Sequence, residues 1–158
     1  MKILIVEDEA LIAELVVEHL EDAGHTIIGP AATAREAIDL CQSDTPDLAI
    51  LDINLQDGSS GVEVAKELFS RWGLVAIFAS GEIMTARQAR DIALGYLRKP
   101  YEMHALLQSV EAVEAMRSGS TPRPVPQAFE VFPHREVALA HQSSSAGESR
   151  RPIVGPSA

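Results

Sequence analysis

The 158-residue sequence predicts an α/β fold in which helices cover both faces of a parallel sheet. Short apolar runs alternate with longer segments whose apolar residues recur at helical spacing, from residue 2 to about Met116. The turns between them are short, as they are when crossover helices join parallel strands. Carboxylates follow two of the apolar runs, which marks one edge of the sheet as the place where a ligand is expected.

Each of the five predicted strands is a short run rich in apolar residues. The first, KILIV, is apolar after its lysine, and the third, DLAILD, encloses four consecutive apolar residues. Such runs are typical of strands buried on both faces. The five strands are predicted at residues 2–6, 25–30, 47–52, 74–80 and 96–99.

Five helices are predicted to alternate with these strands. The first ends at Gly24, a residue type that favours helix C-caps, and the second begins at Thr33, which is predicted to cap it in a capping box with Glu36. The fourth is short and polar. The five helices are predicted at residues 9–24, 33–43, 61–73, 85–93 and 103–116.

The resulting (βα)₅ alternation favours a flavodoxin-like, doubly wound parallel sheet of five strands in the order 2-1-3-4-5. In this arrangement ligands bind where the strand order reverses, outside the C-terminal ends of strands 1 and 3. The residues that end these two strands are therefore the first candidates for a functional site.

The character of the chain changes after Met116. Residues 117–158 contain six of the nine prolines and the run QSSSAGES, a composition that buries too little apolar surface to offset the entropy of ordering. We therefore predict one domain at residues 1–117 and a disordered tail at residues 118–158. Two less polar islands, residues 126–132 and 135–141, are candidates for ordering on a partner.

Charge and composition exclude several functions. A net charge of −10 leaves no broad cationic field for nucleic acid or for an anionic membrane. No helix-turn-helix or basic recognition helix follows residue 116, so we expect no DNA binding. The apolar N-terminal run is too short for a signal peptide or a membrane span. The single cysteine, Cys41, fits a reducing compartment, and a cytoplasmic location is expected.

Three carboxylates end neighbouring strands of the predicted sheet. Glu7 and Asp8 follow the first strand, and Asp52 closes the third. Clustered at one rim, they would raise one another's pKa values unless a cation relieved the repulsion. Oxygen ligands suit Mg²⁺, whereas the absence of His and Cys from the set argues against zinc. Taken alone, Glu7, Asp8 and Glu9 also fit the simpler role of favouring the start of the first helix through its dipole.

Two further polar residues end the fourth and fifth strands. Ser80 closes the fourth strand, and Lys99, followed by Pro100, closes the fifth. A hydroxyl and an ammonium beside a metal-bound carboxylate form a site for a doubly charged oxyanion such as a phosphoryl group. Asp52 is then the candidate nucleophile that accepts this group by in-line transfer.

These motifs resemble the receiver domain of response regulators, the CheY-like phosphoacceptors of two-component signalling. The matching pieces occur in order at the strand ends: VED at 6–8, LDINL at 51–55, FAS at 78–80 and YLRKP at 96–100. The resemblance extends from Met1 to about Met116. The short spacing from Ser80 to Lys99 predicts a short fourth helix, as in a subclass of stand-alone receivers whose fourth strand ends Phe-Ala-Thr-Gly.

The resemblance assigns roles to the acidic residues and their neighbours. Asp52 would be the phosphoacceptor, and it would bind Mg²⁺ together with Asp8 and the backbone carbonyl of Asn54. Glu7 would act on the metal through water. Side chains at Asn54 and Glu82 would tune the rate of dephosphorylation.

The resemblance also assigns roles on the fourth and fifth strands. Ser80 would bond one phosphoryl oxygen and Lys99 would pair with another. Tyr96 matches the switch aromatic of the family, which turns inward when the hydroxyl residue moves toward the phosphate. The peptide bond between Lys99 and Pro100 would be cis.

The function that these roles imply is a signalling switch rather than a metabolic enzyme. The implied partners are a sensor histidine kinase or histidine phosphotransfer protein upstream and a protein partner downstream, and a homodimer is left open. Two alternatives remain: an aspartate-based phosphohydrolase, which would require an acid where Asn54 stands, and a receiver-like adaptor that works without phosphorylation.

Overall fold

The chain forms six strands and five α-helices within residues 1–121 and 124–133, the part that a computed structural model describes. The strands are β1 (Lys2–Val6), β2 (Thr26–Ala31), β3 (Leu48–Leu51), β4 (Ala76–Ser80), β5 (Ala93–Arg98) and β6 (Phe129–Val131). The helices are α1 (Ala10–Asp22), α2 (Ala34–Ser43), α3 (Gly61–Trp72), α4 (Ile83–Gln88) and α5 (Met103–Arg117).

The six strands form one sheet in the order β2-β1-β3-β4-β5-β6. The first five are parallel, which confirms the predicted flavodoxin-like order. Val6 of β1 is in register with Leu51 of β3. The residues that follow these two positions therefore leave the sheet side by side, at the rim where the strand order reverses.

Two hydrophobic clusters lie on opposite faces of the sheet. Alternate residues of a strand point to opposite faces, so that Leu4 of β1 belongs to one cluster and Ile3 to the other. The first cluster includes residues of α2, α3 and α4, and the second includes residues of α1 and α5. Helices on both faces confirm the doubly wound arrangement.

Helix α4 is short, as the spacing from Ser80 to Lys99 predicts, but its position differs from the expected residues 85–93. It spans six residues, Ile83–Gln88, and a 3₁₀ turn at Arg90–Ile92 follows. Strand β5 then begins at Ala93 rather than at residue 96. Ala93 and Leu94 are buried in the sheet, where their apolar side chains pack better than on a surface helix.

Strand β6 corrects the prediction of a five-stranded sheet followed by an unstructured tail. Phe129–Val131 pairs antiparallel with β5, and the side chains of Phe129 and Phe132 are buried in the two clusters. The island at residues 126–132, which was predicted to order on a partner, orders on β5 of the same chain. The other predicted island, residues 135–141, lies outside the described residues. Among the helices described, none is long and apolar enough to cross a membrane.

Candidate functional site

Three carboxylates meet at the rim where β1 and β3 end. Glu7 and Asp8 follow β1 and Asp52 follows β3, as predicted, and each offers a ligand oxygen within 4.8 Å of the others. The backbone N–H of Asp52 donates to the carbonyl of Val6 at 2.9 Å, which fixes the ends of the two strands against each other. Glu7 and Asp52 are buried, with 7% and 9% of their surface exposed.

Lys99 supplies the cation that these buried acids require. Its Nζ donates to Oε2 of Glu7 at 2.7 Å and to Oδ2 of Asp52 at 2.9 Å. The backbone N–H of Lys99 donates to the carbonyl of Ser80 at 3.0 Å, which anchors the end of β5 to β4. The lysine therefore extends from the fifth strand to acids on the first and third.

Burial and charge oppose each other in this group. Burial raises the pKa of Glu7, and hydrogen bonds from Lys99 and from the backbone of Glu9 offset only part of this effect. Burial alone would lower the pKa of Lys99, but the bonds to Glu7 and Asp52 outweigh it and the net pKa is raised. Lys99 is accordingly held in its charged form at neutral pH.

The donor chemistry of the rim fits a hard divalent cation. All three ligand groups are carboxylates, the preferred ligands of Mg²⁺ in proteins. Three negative groups and one ammonium leave a formal charge of −2, which one such ion neutralises. Glu7, Asp8 and Asp52 are the side chains that would hold it.

Glu82 connects the loops above the site. The Oγ of Ser80, which is 2% exposed, accepts a hydrogen bond from the backbone N–H of Glu82 at 3.2 Å. The Glu82 carboxylate accepts one from Nδ2 of Asn54, also at 3.2 Å. Asn54 and Glu82, predicted to tune dephosphorylation, thus lie together at the start of α4. Their effect on a phosphoryl group stays a prediction.

Tyr96 lies inside the protein, in the middle of β5. It pairs with Phe78 on one side and with Glu130 on the other, and 3% of its surface is exposed. Among the described residues its hydroxyl is the one buried side-chain polar atom without a hydrogen-bond partner. Burial raises the pKa of this hydroxyl. The inward position agrees with a switch role, which itself stays a prediction.

Two backbone features complete the site. The peptide bond between Lys99 and Pro100 is cis, as predicted. Gly61, which the sequence analysis did not single out, begins α3 directly against Asp52: an added Cβ would lie 1.9 Å from the Asp52 carbonyl oxygen. A glycine at the first position of a helix, after a serine cap, was the available signal.

The acidic triad and lysine at the switch point of a flavodoxin-like sheet define a receiver-type domain. The family model for the response regulator receiver domain matches residues 3–111. The chain therefore belongs to the response regulator receiver family. Receiver domains are signalling switches of two-component systems; they are phosphorylated on an aspartate, use Mg²⁺, and interact with histidine kinases or phosphotransfer proteins.

Several regulators resemble this chain. The transcriptional regulatory protein PdtaR of Mycobacterium tuberculosis is 34% identical over 113 residues, which cover 70% of this chain and 55% of that protein. The phyllosphere-induced regulator PhyR of Methylorubrum extorquens is 41% identical over 78 residues, covering 49% of this chain and 29% of PhyR. The chain spans about half the length, or less, of these curated relatives.

Solved structures show the same fold. The receiver domain of Erythrobacter litoralis PhyR has a TM-score of 0.65 and 25% identity, covering 78% of this chain and 95% of that domain. A CheY-like receiver from Methanospirillum hungatei has a TM-score of 0.66 and 27% identity, covering 75% of this chain and 96% of its own. These neighbours establish the receiver fold for the present chain.

Proposed function

We propose that this protein accepts a phosphoryl group on Asp52 from a phosphohistidine of a sensor kinase or a phosphotransfer protein, with Mg²⁺ as cofactor. One observation carries the proposal: the buried Asp52 carboxylate faces the Lys99 ammonium at 2.9 Å and shares its rim with Glu7 and Asp8. This combination of nucleophile, cation and metal ligands supports phosphoryl transfer.

The transfer uses groups that are already close together. A carboxylate oxygen of Asp52 bonds to phosphorus while the phosphorus–nitrogen bond of the donor breaks, and the leaving imidazole takes up a proton. Lys99 pairs with a phosphoryl oxygen, and the Ser80 hydroxyl donates a hydrogen bond to another. Glu7, Asp8 and Asp52 would hold Mg²⁺, which would offset the charge of the phosphoryl oxygens.

The output of this switch is a change in a protein-binding surface. Phosphorylation adds charge beside Ser80 and Glu82, and α4 begins directly after Glu82, at Ile83. Repositioning of Ser80 and Tyr96 then alters the face formed by α4, β5 and α5. A downstream protein or a second copy of the chain binds that face. We propose that the reaction takes place in the cytoplasm, in a receiver unit of about residues 1–117.

Two alternatives receive less support. An aspartate-based phosphohydrolase needs a second acid two residues after its nucleophile, and this position holds Asn54, whose amide instead bonds Glu82. An adaptor role has some support from likeness to PhyR, since one similar structure is the anti-anti-sigma factor PhyR of Bartonella quintana, at 27% identity and a TM-score of 0.56. A phosphorylated adaptor is compatible with the proposal.

Phosphorylation with acetyl phosphate and Mg²⁺, followed by mapping of the hydroxylamine-sensitive phosphate, tests the proposal. We expect the label on Asp52, and its loss in Asp52→Asn. The matched control is Asp57→Asn, because Asp57 is an exposed acid in the adjacent loop, bonded to Ser59. Wild-type labelling of Asp52→Asn, or loss of label in the Asp57 variant alone, would overturn the assignment.

A further inference from the structure

Strand β6 binds the outer edge of β5 through its backbone. Phe129 is in register with Leu97 and Val131 with Gly95. Two bonds extend the ladder at its ends: Arg98 N–H donates to the Ala128 carbonyl at 3.0 Å, and Phe132 N–H to the Leu94 carbonyl at 2.9 Å. We call residues 126–133, which include β6, the strap.

The two phenylalanines of the strap lie on opposite faces of the sheet. Phe129 joins the cluster that contains Leu97 and residues of α5, and Phe132 joins the cluster that contains Tyr96 and residues of α4. Both are buried, with 4% and 5% of their surface exposed. The strap therefore covers the edge of β5 from both sides.

Gly95, which has no side chain, leaves the space that Phe129 of the strap occupies. A Cβ at this position would lie 2.5 Å from Cζ of Phe129 and 2.7 Å from the Glu130 carbonyl oxygen. Gly95 does not have the positive φ that would by itself require glycine. Since glycine weakens the interior of a strand, the close approach of Phe129 is the structural reason for a glycine here.

The two edges of the parallel sheet differ in how they are protected. Strand β2, on one edge, contains Pro30, which cannot donate to a further strand. Strand β5 reads Ala-Leu-Gly-Tyr-Leu before its first charge at Arg98. An apolar, uncharged edge of this kind readily pairs with another strand, so that β5 is left open unless the strap or a substitute covers it.

The strap is a short edge strand, and its ion pair with the rest of the domain is weak. Its strand has three residues and lies at the end of the sheet. Its one described ion pair joins Glu130 to Arg87 of α4 at 2.8 Å, and both side chains are about half exposed, at 43% and 53%. Solvent screens such a pair. A short strand at the edge of a sheet opens more readily than the central strands.

We propose that the edge of β5 is a strand-docking surface and that the strap is its intramolecular occupant, which a partner displaces. The segment that fits is extended and antiparallel to β5, with two aromatic side chains three residues apart and a carboxylate directly after the first, as in Phe129-Glu130-Val131-Phe132. Recognition combines backbone pairing with one aromatic side chain on each face.

A labelled synthetic peptide of residues 124–133 tests the surface with full-length, unphosphorylated protein, so that failure would leave the proposed phosphoacceptor untouched. The variant Phe129→Ser/Phe132→Ser vacates the edge and should bind the peptide at least about tenfold more tightly than wild type, whose own strap competes. Adding Gly95→Ala should abolish binding, and a peptide of scrambled sequence should not bind. Equal binding to wild type and to the vacated variant, or none to either, would overturn the proposal.

Amide exchange in single variants gives a second readout should the vacated variant fail to fold. Gly95→Ala should speed exchange at the Phe132 and Arg98 amides by about tenfold or more, because both donate bonds that the displaced strap breaks. The matched control is Gly81→Ala, since an added Cβ at Gly81 meets no atom within 4 Å. Unchanged exchange in Gly95→Ala would show that the close approach of Phe129 to Gly95 does not hold the strap, and it would contradict the proposal.

Discussion

Nζ of Lys99 lies 2.9 Å from Oδ2 of Asp52, although 47 positions separate the two residues in the chain. The sheet order explains the contact, because β3, β4 and β5 are consecutive neighbours and end at one rim. The same ammonium also contacts Glu7. Lys99 thus bridges two buried acids that end different strands.

Removal of this ammonium should destabilise the protein in the absence of metal. Lys99→Met leaves Glu7 and Asp52 buried without a cation. We expect the free energy of unfolding to fall by about 2 kcal/mol. This is less than the cost of breaking a fully buried ion pair, because Lys99 retains some exposure. Urea unfolding with a chelator present measures it. Glu7→Gln should restore part of the loss. The exposed Lys66→Met is the control; an equal loss there would contradict the argument.

Metal affinity should depend more on Asp8 than on Glu7. The two oxygens of Glu7 already accept bonds from Lys99 at 2.7 Å and from the backbone of Glu9 at 3.1 Å, so that Glu7 is better placed to act through water. Calorimetric titration of Mg²⁺ into Asp8→Ala and Glu7→Ala compares them. We expect about tenfold or greater weakening for Asp8→Ala and a smaller effect for Glu7→Ala. Equal losses would remove the distinction.

The parallel core and the site could be predicted from the sequence because the candidate site residues lie at the ends of the apolar strands. Apolar runs located β1 and β3, and topology alone then brought Glu7, Asp8 and Asp52 to one rim. Lys99 was predicted to pair with a phosphoryl oxygen. The structure adds that its ammonium also bonds Glu7 and Asp52 directly.

The sequence marked residues 126–132 as a less polar island, but the surface on which it orders was not predicted, because β5 is distant in the chain. Phe129 and Phe132 lie in a proline-rich segment whose average composition indicates disorder. Burial of these two rings depends on the edge of β5 and on the space left by Gly95. Neither can be predicted from the sequence of the segment itself. A glycine inside an otherwise apolar strand was the available signal for a close approach to β5.

The lifetime of a phosphoryl group on Asp52 should depend on Asn54 and Glu82. Their side chains bond each other at 3.2 Å beside Ser80, where water would approach phosphorus. Asn54→Lys and Glu82→Lys each place a cation near the phosphoryl oxygens, and we expect decay to slow by about threefold or more. The control is Met84→Lys, because Met84 is 68% exposed on the same short helix. Wild-type decay in both test variants would exclude these side chains from the water path.

The stability of the fold should fall at alkaline pH through Cys41. Burial raises the pKa of this thiol from 9.0 to about 11. Between these values the unfolded chain has lost a proton that the folded chain keeps, so that stability decreases as pH rises from 9 to 11. Urea unfolding over this range should show a steeper decline for wild type than for Cys41→Ala. Parallel declines would show that other groups account for the pH dependence.

Phosphorylation of Asp52 should loosen the strap, a prediction that depends on both proposals. The phosphoryl group would repel the Glu82 carboxylate, which Asn54 holds at the start of α4. The opposite end of α4 carries Arg87, which pairs with Glu130 of the strap. A shift of this short helix therefore weakens the contact that fastens β6. Exchange at the Phe132 amide should speed up on phosphorylation in wild type and should stay constant in Asp52→Asn. In Arg87→Met the exchange should already be faster than in unphosphorylated wild type, and phosphorylation should change it less. Slower exchange in protein that mass spectrometry shows to be phosphorylated would mean that the phosphoryl group tightens the strap and would reverse the proposed direction of coupling.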